Sequence, residues 1–339
     1  MNNKNLKENI SIFSLFTAVF VSVAFFTYMS GNKPNVSNNN NPNNYQFDDI
    51  NDFSLSKIKR KGIKNIGNSC YLNSFLQFLF SIEEIKDSII KYQGNNTVLK
   101  CIKNIFEYLS NNDNVKVLKE DDLRSIISGI FKDKGLDKQQ DSHELFSLVL
   151  GILEKEIPGV KCSYELTTRQ YFESADKKLS KIVNDDLTII TLPIQNSKNL
   201  SDALNNFTCN NSNLTMKFDE GTLKQDSNLS QKFEKLSDYI IIELNRFEYP
   251  EKKISNVVEI PVNLNMQPYT HDNKESNYTL IGAILHIGRT INGGHYRFIH
   301  RPANDNYILY SDLNVTIINS YKASHEINND GYVLLYKKL

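Results

Sequence analysis

Apolar residues at Leu72, Phe75, Leu76 and Leu79 fall on one face of a helix, at the i, i+3, i+4, i+7 spacing. Asn68 and Ser69 stand just before this run and favour a helix start, so the spacing predicts a helix that opens near Cys70. A second face is made by Val98, Cys101, Ile102, Ile105, Phe106 and Leu109. A third is made by Leu123, Ile126, Ile127 and Ile130, with Asp121 or Asp122 as its cap. A fourth begins at Gln139-Gln140-Asp141-Ser142-His143-Glu144 and runs to about Leu153, with Asp141 and Glu144 spaced as a capping box.

From about Val160 the pattern changes to short, β-branched and aromatic runs. Thr188–Ile194, Tyr239–Phe247, Lys253–Ile260, Tyr278–Ile287, Tyr296–Arg301, Tyr307–Tyr310, Val315–Asn319 and Tyr332–Tyr336 read as strands separated by Asn, Asp, Gly and Pro turns. Helices therefore come first and sheet second, an α+β arrangement with its active site expected between the halves.

The front of the chain has its own pattern. Ile10–Met29 carries no charge and is long enough to cross a bilayer as a helix. It is longer than the apolar part of a signal peptide and ends in Phe25-Phe26-Thr27-Tyr28-Met29, without small residues at the end. The segment predicts a transmembrane anchor preceded by a short tail, residues 1–9. Lysines and Arg60 beyond the span favour a cytosolic catalytic domain. Asn32–Asn44 is Asn-rich and almost devoid of apolar residues, so residues 30–60 are expected to act as a tether.

Composition narrows the partners. The 339 residues carry 39 basic and 39 acidic side chains, which leaves no basic footprint for nucleic acid. The four cysteines, Cys70, Cys101, Cys162 and Cys209, form no C-x-x-C pair and suggest no disulfide framework, which fits a reducing compartment.

Candidate chemistry centres on Cys70. Gly62-Ile63-Lys64-Asn65-Ile66-Gly67-Asn68-Ser69-Cys70 reads as a Gly-punctuated turn running into a helix. A thiol in the first turn faces unpaired N–H groups and the positive end of the helix dipole, and both favour thiolate. A buried structural cysteine is the competing reading. Far along the chain, Gly293-Gly294-His295-Tyr296 places a histidine behind a Gly-Gly turn at the foot of a strand. Cysteine and histidine distant in sequence but adjacent in space are the usual thiol-protease arrangement.

With these motifs the chain resembles the ubiquitin-specific proteases, a papain-like family of cysteine deubiquitinases. The resemblance covers about Lys61 to the C-terminus. Gly62 to Gln77 is similar to the family's Cys box, and Gln139 to Phe146 to its Gln-rich helix start. Ile240-Ile241-Ile242-Glu243-Leu244-Asn245-Arg246-Phe247 is similar to its central strand motif, and Tyr278 to Arg301 to its His box. Tyr307 to Asp312 resembles the box that supplies the third catalytic residue.

The resemblance implies a thumb–palm–fingers fold over residues 61–339, with a thumb at about 61–155 and fingers at about 160–236 inserted in the palm. It places Cys70 on the nucleophile, His295 on the general base and Asn65 on the oxyanion donor. Asp141 and Glu144 fall on acids that hold the arginines of the ubiquitin tail, and His286 and Tyr296 on the tail channel. The implied partners are ubiquitin and ubiquitinated proteins.

Two departures stand out. The fingers often bind zinc through two C-x-x-C pairs, but here that region has only Cys162 and Cys209, so no metal or other cofactor is expected. The position that usually holds an acid beside the histidine is Ser311, with Asp312 next to it. Neighbours on a strand point to opposite faces, so register favours Ser311 as the partner of His295 and leaves Asp312 as a substitute or supporting group. A membrane-anchored mitochondrial branch of the family also uses serine there, which leaves the mitochondrial outer membrane and the endoplasmic reticulum as candidate locations. Two other functions fit the same fold: a weak or inactive ubiquitin-binding scaffold, and a protease for a ubiquitin-like modifier.

Overall fold

The computed structural model describes residues 60–111, 116–132, 142–208, 211–218, 223–248, 252–290, 293–302 and 306–339. The expected anchor Ile10–Met29, the tether, Asp141 and Cys209 lie outside them. No helix among the described residues is long and apolar enough to cross a membrane.

Five helices come first: α1 Cys70–Phe80, α2 Glu83–Lys91, α3 Thr97–Ser110, α4 Glu120–Phe131 and α5 Ser142–Glu156. The buried residues of α3 are the predicted ones, Val98, Cys101, Ile102, Ile105, Phe106 and Leu109, together with Leu99. Its cap is Asn96, whose side chain accepts from the Leu99 N–H at 3.2 Å. Neither Asp121 nor Asp122 caps α4, contrary to expectation: the helix starts earlier, after Lys119, and both acids lie in its first turn near the positive dipole end.

The strands follow: β1 Leu166–Glu173, β2 Ser180–Leu187, β3 Ile190–Pro193, β4 Asn211–Lys217, β5 Leu223–Lys235, β6 Tyr239–Asn245, β7 Phe247–Glu248, β8 Lys252–Lys253, β9 Asn263–Asn265, β10 Asn277–Thr290, β11 Gly293–His300, β12 Tyr307–Ser311, β13 Asn314–Ile318 and β14 Gly331–Lys338. Helices α6 Leu200–Thr208 and α7 Ser320–Asp330 are set among them. The principal sheet has eight strands in the order β13-β12-β11-β10-β14-β6-β3, with β9 on β10. A separate four-stranded sheet runs β2-β1-β5-β4.

Most predicted strands of the principal sheet appear. Lys253–Ile260 does not: Lys252–Lys253 pairs with β7, Glu259 makes one isolated bridge with Asn199, and the stretch between is irregular and bonded in part to side chains. Arg246 Nη1 donates to the carbonyls of Ile254 and Asn256, at 3.2 and 3.1 Å, and the Asn256 amide is turned towards Ile194 and Ser197.

Strand β6 is buried from Tyr239 to Leu244, as expected where a sheet is covered on both faces. Tyr239 and Ile241 join the core shared with helices α1–α5, whereas Ile240, Ile242 and Leu244 join a second core behind the sheet. On the helical side, Phe146 of α5 meets Phe75 and Phe78 of α1 edge-on at 4.6 and 4.8 Å, and Phe78 reaches Phe298 of β11 at 6.0 Å. These contacts clamp α1 between α5 and the strand that carries His295.

Candidate active site

The turn before α1 is built by one amide. Asn65 Oδ1 accepts from the N–H groups of Gly67 and Ser69, at 3.0 and 3.2 Å, and from Ser69 Oγ at 3.2 Å. Gly67 and Asn68 sit in left-handed conformations, with φ of 104° and 47°. Glycine and asparagine tolerate that region best. Ser69 occupies the cap position but does not cap: its hydroxyl accepts from the Ile66 N–H at 3.0 Å, inside the turn. The helix thus begins at Cys70 itself, with the thiol buried in its first turn.

The polar residues of α1 are buried as well, and they hold the segment before the turn. Gln77 Nε2 donates to the Lys61 carbonyl at 2.9 Å, and Asn73 Nδ2 to that of Ile63 at 3.2 Å. Burial is affordable for such groups because they are hydrogen-bonded.

Ser311 and Asp312 bond to different partners. His295 Nε2 lies 2.9 Å from Ser311 Oγ. Asp312 turns elsewhere: its Oδ1 accepts from Asn73 Nδ2 at 2.7 Å and its Oδ2 from Asn65 Nδ2 at 3.0 Å. Strand alternation is not the whole cause. β12 ends at Ser311, and Asp312 stands in the following turn at φ 52°. The carbonyl of Asp312 also accepts from the Ile63 N–H at 3.0 Å. Gly62 passes so close that a Cβ there would lie 2.3 Å from the Leu313 carbonyl oxygen. Sequence reading gave Asp312 only a substitute or supporting part. A carboxylate that ties the Asn65 turn to the β12 turn had no signal in a single sequence, because its partners lie 247 and 239 residues away.

His286 and Tyr296 face each other across the β10–β11 ladder, rings 4.7 Å apart. His286 is wholly buried, and neither ring nitrogen is hydrogen-bonded among the described residues. Burial, reinforced by the Lys253 ammonium, lowers its pKa to about 4, so the ring is neutral at physiological pH. Glu144 is exposed in the first turn of α5. Burial holds the Tyr71 phenol well above its ordinary pKa, with added repulsion from Cys70 and Glu144. The structure therefore bonds His295 of β11 to Ser311 of β12, ties Asn65 and Asn73 to Asp312 in the turn after β12, and sets Cys70 at the start of α1, with His286 and Tyr296 paired across β10 and β11. Cys162 is exposed, and no cluster of His, Cys, Asp and Glu among the described residues could hold a metal.

A thiol that opens a buried helix, a strand-borne histidine backed by a hydroxyl, and a side-chain amide in the turn before the thiol make up the residue set of a papain-like thiol hydrolase. The ubiquitin carboxyl-terminal hydrolase family profile matches residues 61–336. Ubiquitin carboxyl-terminal hydrolase 4 of Arabidopsis thaliana is 24% identical over 342 residues, covering 82% of this chain and 93% of the relative. Ubiquitin carboxyl-terminal hydrolase 15 of Schizosaccharomyces pombe is 26% identical over 282 residues, covering 75% of this chain but 24% of the relative. The fold matches the structure of the SAGA Ubp8/Sgf11/Sus1/Sgf73 DUB module bound to ubiquitin aldehyde at TM-score 0.72 and 19% identity, over 84% of this chain and 70% of that one. The chain belongs to the ubiquitin carboxyl-terminal hydrolase family and is a cysteine-type deubiquitinase.

Proposed function

We propose that this chain hydrolyses the isopeptide or peptide bond after the C-terminal glycine of ubiquitin while tethered to a membrane by Ile10–Met29. In this reading the Cys70 thiol gives its proton to His295, and the thiolate attacks the scissile carbonyl. The Asn65 amide uses one N–H on Asp312 and leaves the other for the oxyanion. His295 then protonates the leaving amine, and water, deprotonated by the same ring, hydrolyses the thioester. Ser311 orients the imidazole. It adds no charge to stabilise the imidazolium, unlike the acid usual in triads. Asp141 and Glu144 meet the arginines of the ubiquitin tail, and His286 and Tyr296 line its channel.

The observation that carries this reading is the pair of bonded sets His295–Ser311 and Asn65–Asp312–Asn73, which supports a base on β11 and an amide donor in the turn before Cys70. The fingers, residues about 160–236, are proposed to bind no metal, since that stretch has only Cys162 and Cys209. The catalytic domain faces the cytosol, on the mitochondrial outer membrane or the endoplasmic reticulum.

The test is labelling of the full chain, in detergent, by ubiquitin carrying a thiol-reactive C-terminal group. Labelling lost in Cys70→Ala supports the reading. Ubiquitin binding without labelling would leave a scaffold, and labelling only by other modifiers would move the substrate. Carbonate extraction of membranes tests the anchor: release of the chain into the soluble fraction would refute it.

A further inference from the structure

The structure buries two cations that the chemistry above does not use. Arg246 and Lys253 lie beneath the site where strands β10 and β14 part company. Their last paired residues are Leu285 and Gly331, because β14 begins at Gly331 while β10 continues to Thr290. Beyond that point the β14 side of β10 has lost its ladder partner. Lys253 Nζ supplies the missing donor, 2.5 Å from the His286 carbonyl oxygen, and also meets Asp330 Oδ1 at 3.0 Å. On the other strand Arg246 Nε takes the Gly331 carbonyl at 2.5 Å. The Lys253 side chain is only 3% exposed. An ammonium buried so completely is tolerated only when paired and hydrogen-bonded, so its place is fixed by Asp330 and His286 together.

What Lys253 holds leads to the reactive histidine. The His286 ring is packed edge-on by Phe247 at 5.2 Å and by Tyr296. It lies directly under the Gly-Gly start of β11: a Cβ placed on Gly294 would stand 2.7 Å from His286 Nε2 and 2.6 Å from the Ile287 carbonyl oxygen. Ile287 is the register partner of His295.

We propose that Lys253, paired with Asp330, is a positioning residue for this reaction: it pins the free end of β10 at His286, on which the Gly293-Gly294 start of β11 rests, and so sets the placement of His295 against Cys70 and Ser311. The proposal rests on His295 acting as the general base. Lys253 contacts no reacting atom.

The test compares full-length wild type, Lys253→Met and Asp330→Asn on a fluorogenic ubiquitin amide. Lys253→Met keeps an unbranched stem and removes the ammonium. A misplaced base costs about 10- to 100-fold, so kcat should fall by that factor. KM should move less than kcat, within about threefold, because a misplaced base weakens the transition state more than it weakens the bound tail. The acid limb of the kcat/KM pH profile should move, and alkylation of Cys70 by iodoacetamide should slow. Asp330→Asn should produce a smaller change in the same direction, and it decides the matter where Lys253→Met does not fold. An unchanged kcat and pH profile in a folded variant would overturn the proposal, as would a loss confined to KM or to melting temperature. Wild type that turns the substrate over alongside an equally active Lys253→Met sinks this inference alone. Wild type that neither turns over nor labels at Cys70 sinks the functional reading beneath it.

Discussion

Asp312→Asn separates the two roles that a residue beside Ser311 could play. Asparagine keeps the left-handed backbone at this position without strain, as alanine would not. It offers one acceptor where the carboxylate offered two, and it places an N–H₂ against a second N–H₂. Asn73 is 2% exposed and Asn65 is exposed, so the remaining oxygen should go to Asn73. Leaving a buried donor unpaired costs about 1–3 kcal/mol, more than freeing one that water can reach. Asn65 therefore loses its tether. Its Oδ1 bonds to Gly67 and Ser69 still hold the side chain in the turn, so the N–H is loosened and not removed. Full loss of an oxyanion donor costs about 10²- to 10³-fold in kcat. A loosened one should cost about 10-fold or somewhat more, within that bound. Steady-state turnover of a fluorogenic ubiquitin amide should show this fall in kcat with KM nearly unchanged, and melting should move little. If Asp312→Asn leaves kcat intact, or shifts the acid limb of the pH profile as loss of a histidine partner would, the assignment of Asp312 to Asn65 is wrong.

Three further outcomes follow from the same geometry. Asn65→Asp keeps an oxygen for the Gly67 and Ser69 N–H groups but sets a carboxylate against Asp312. Single-turnover thioester formation should therefore drop by about 10²-fold or more while the fold persists by circular dichroism. Ser311→Ala removes one neutral hydrogen bond from His295 and should slow turnover about two- to tenfold, whereas Ser311→Asp should preserve or raise it; the kcat values check both. Stability should fall as pH drops through about 6.5 towards 4: burial holds His286 and His300 near pKa 4 in the fold, so the unfolded chain binds their protons first. Urea midpoints at pH 7 and pH 5 should show this, with a smaller difference in His300→Gln.

Much of this architecture was legible in the sequence because it obeys local rules. The faces of α1 and α3 follow from helical periodicity, and the strands β6 and β10 to β14 from their β-branched and aromatic runs. The elements that escaped are those whose periodicity is weak. Helix α7 buries only Ala323 and Ile327, so its polar sequence gives little helical signal. Strand β2 shows mostly exposed and half-buried residues, as a strand in a sheet open to water will. Segment 253–260 read as a strand because its composition is β-like, but its Ile254 and Asn256 carbonyls are claimed by Arg246. No window of local sequence contains that competition.

The same divide runs through the site. Cys70, His295 and Ser311 could be named because each sits in a recognisable turn or register. The wiring among them could not, because it passes through side chains brought together only by the fold. Near His295 the serine supplies a hydrogen bond without charge. The carboxylate one residue on joins Asn65 and Asn73, and so links the Cys70 turn to the β12 turn. In the proposed mechanism this moves electrostatic support from the imidazolium to the oxyanion donor. The histidine is then oriented by packing and backbone: the Gly-Gly start of β11 above His286, and the ammonium of Lys253 beneath it. A site organised this way should tolerate a neutral third residue as long as the floor under His295 is rigid, which is why the lysine is the more informative residue to remove.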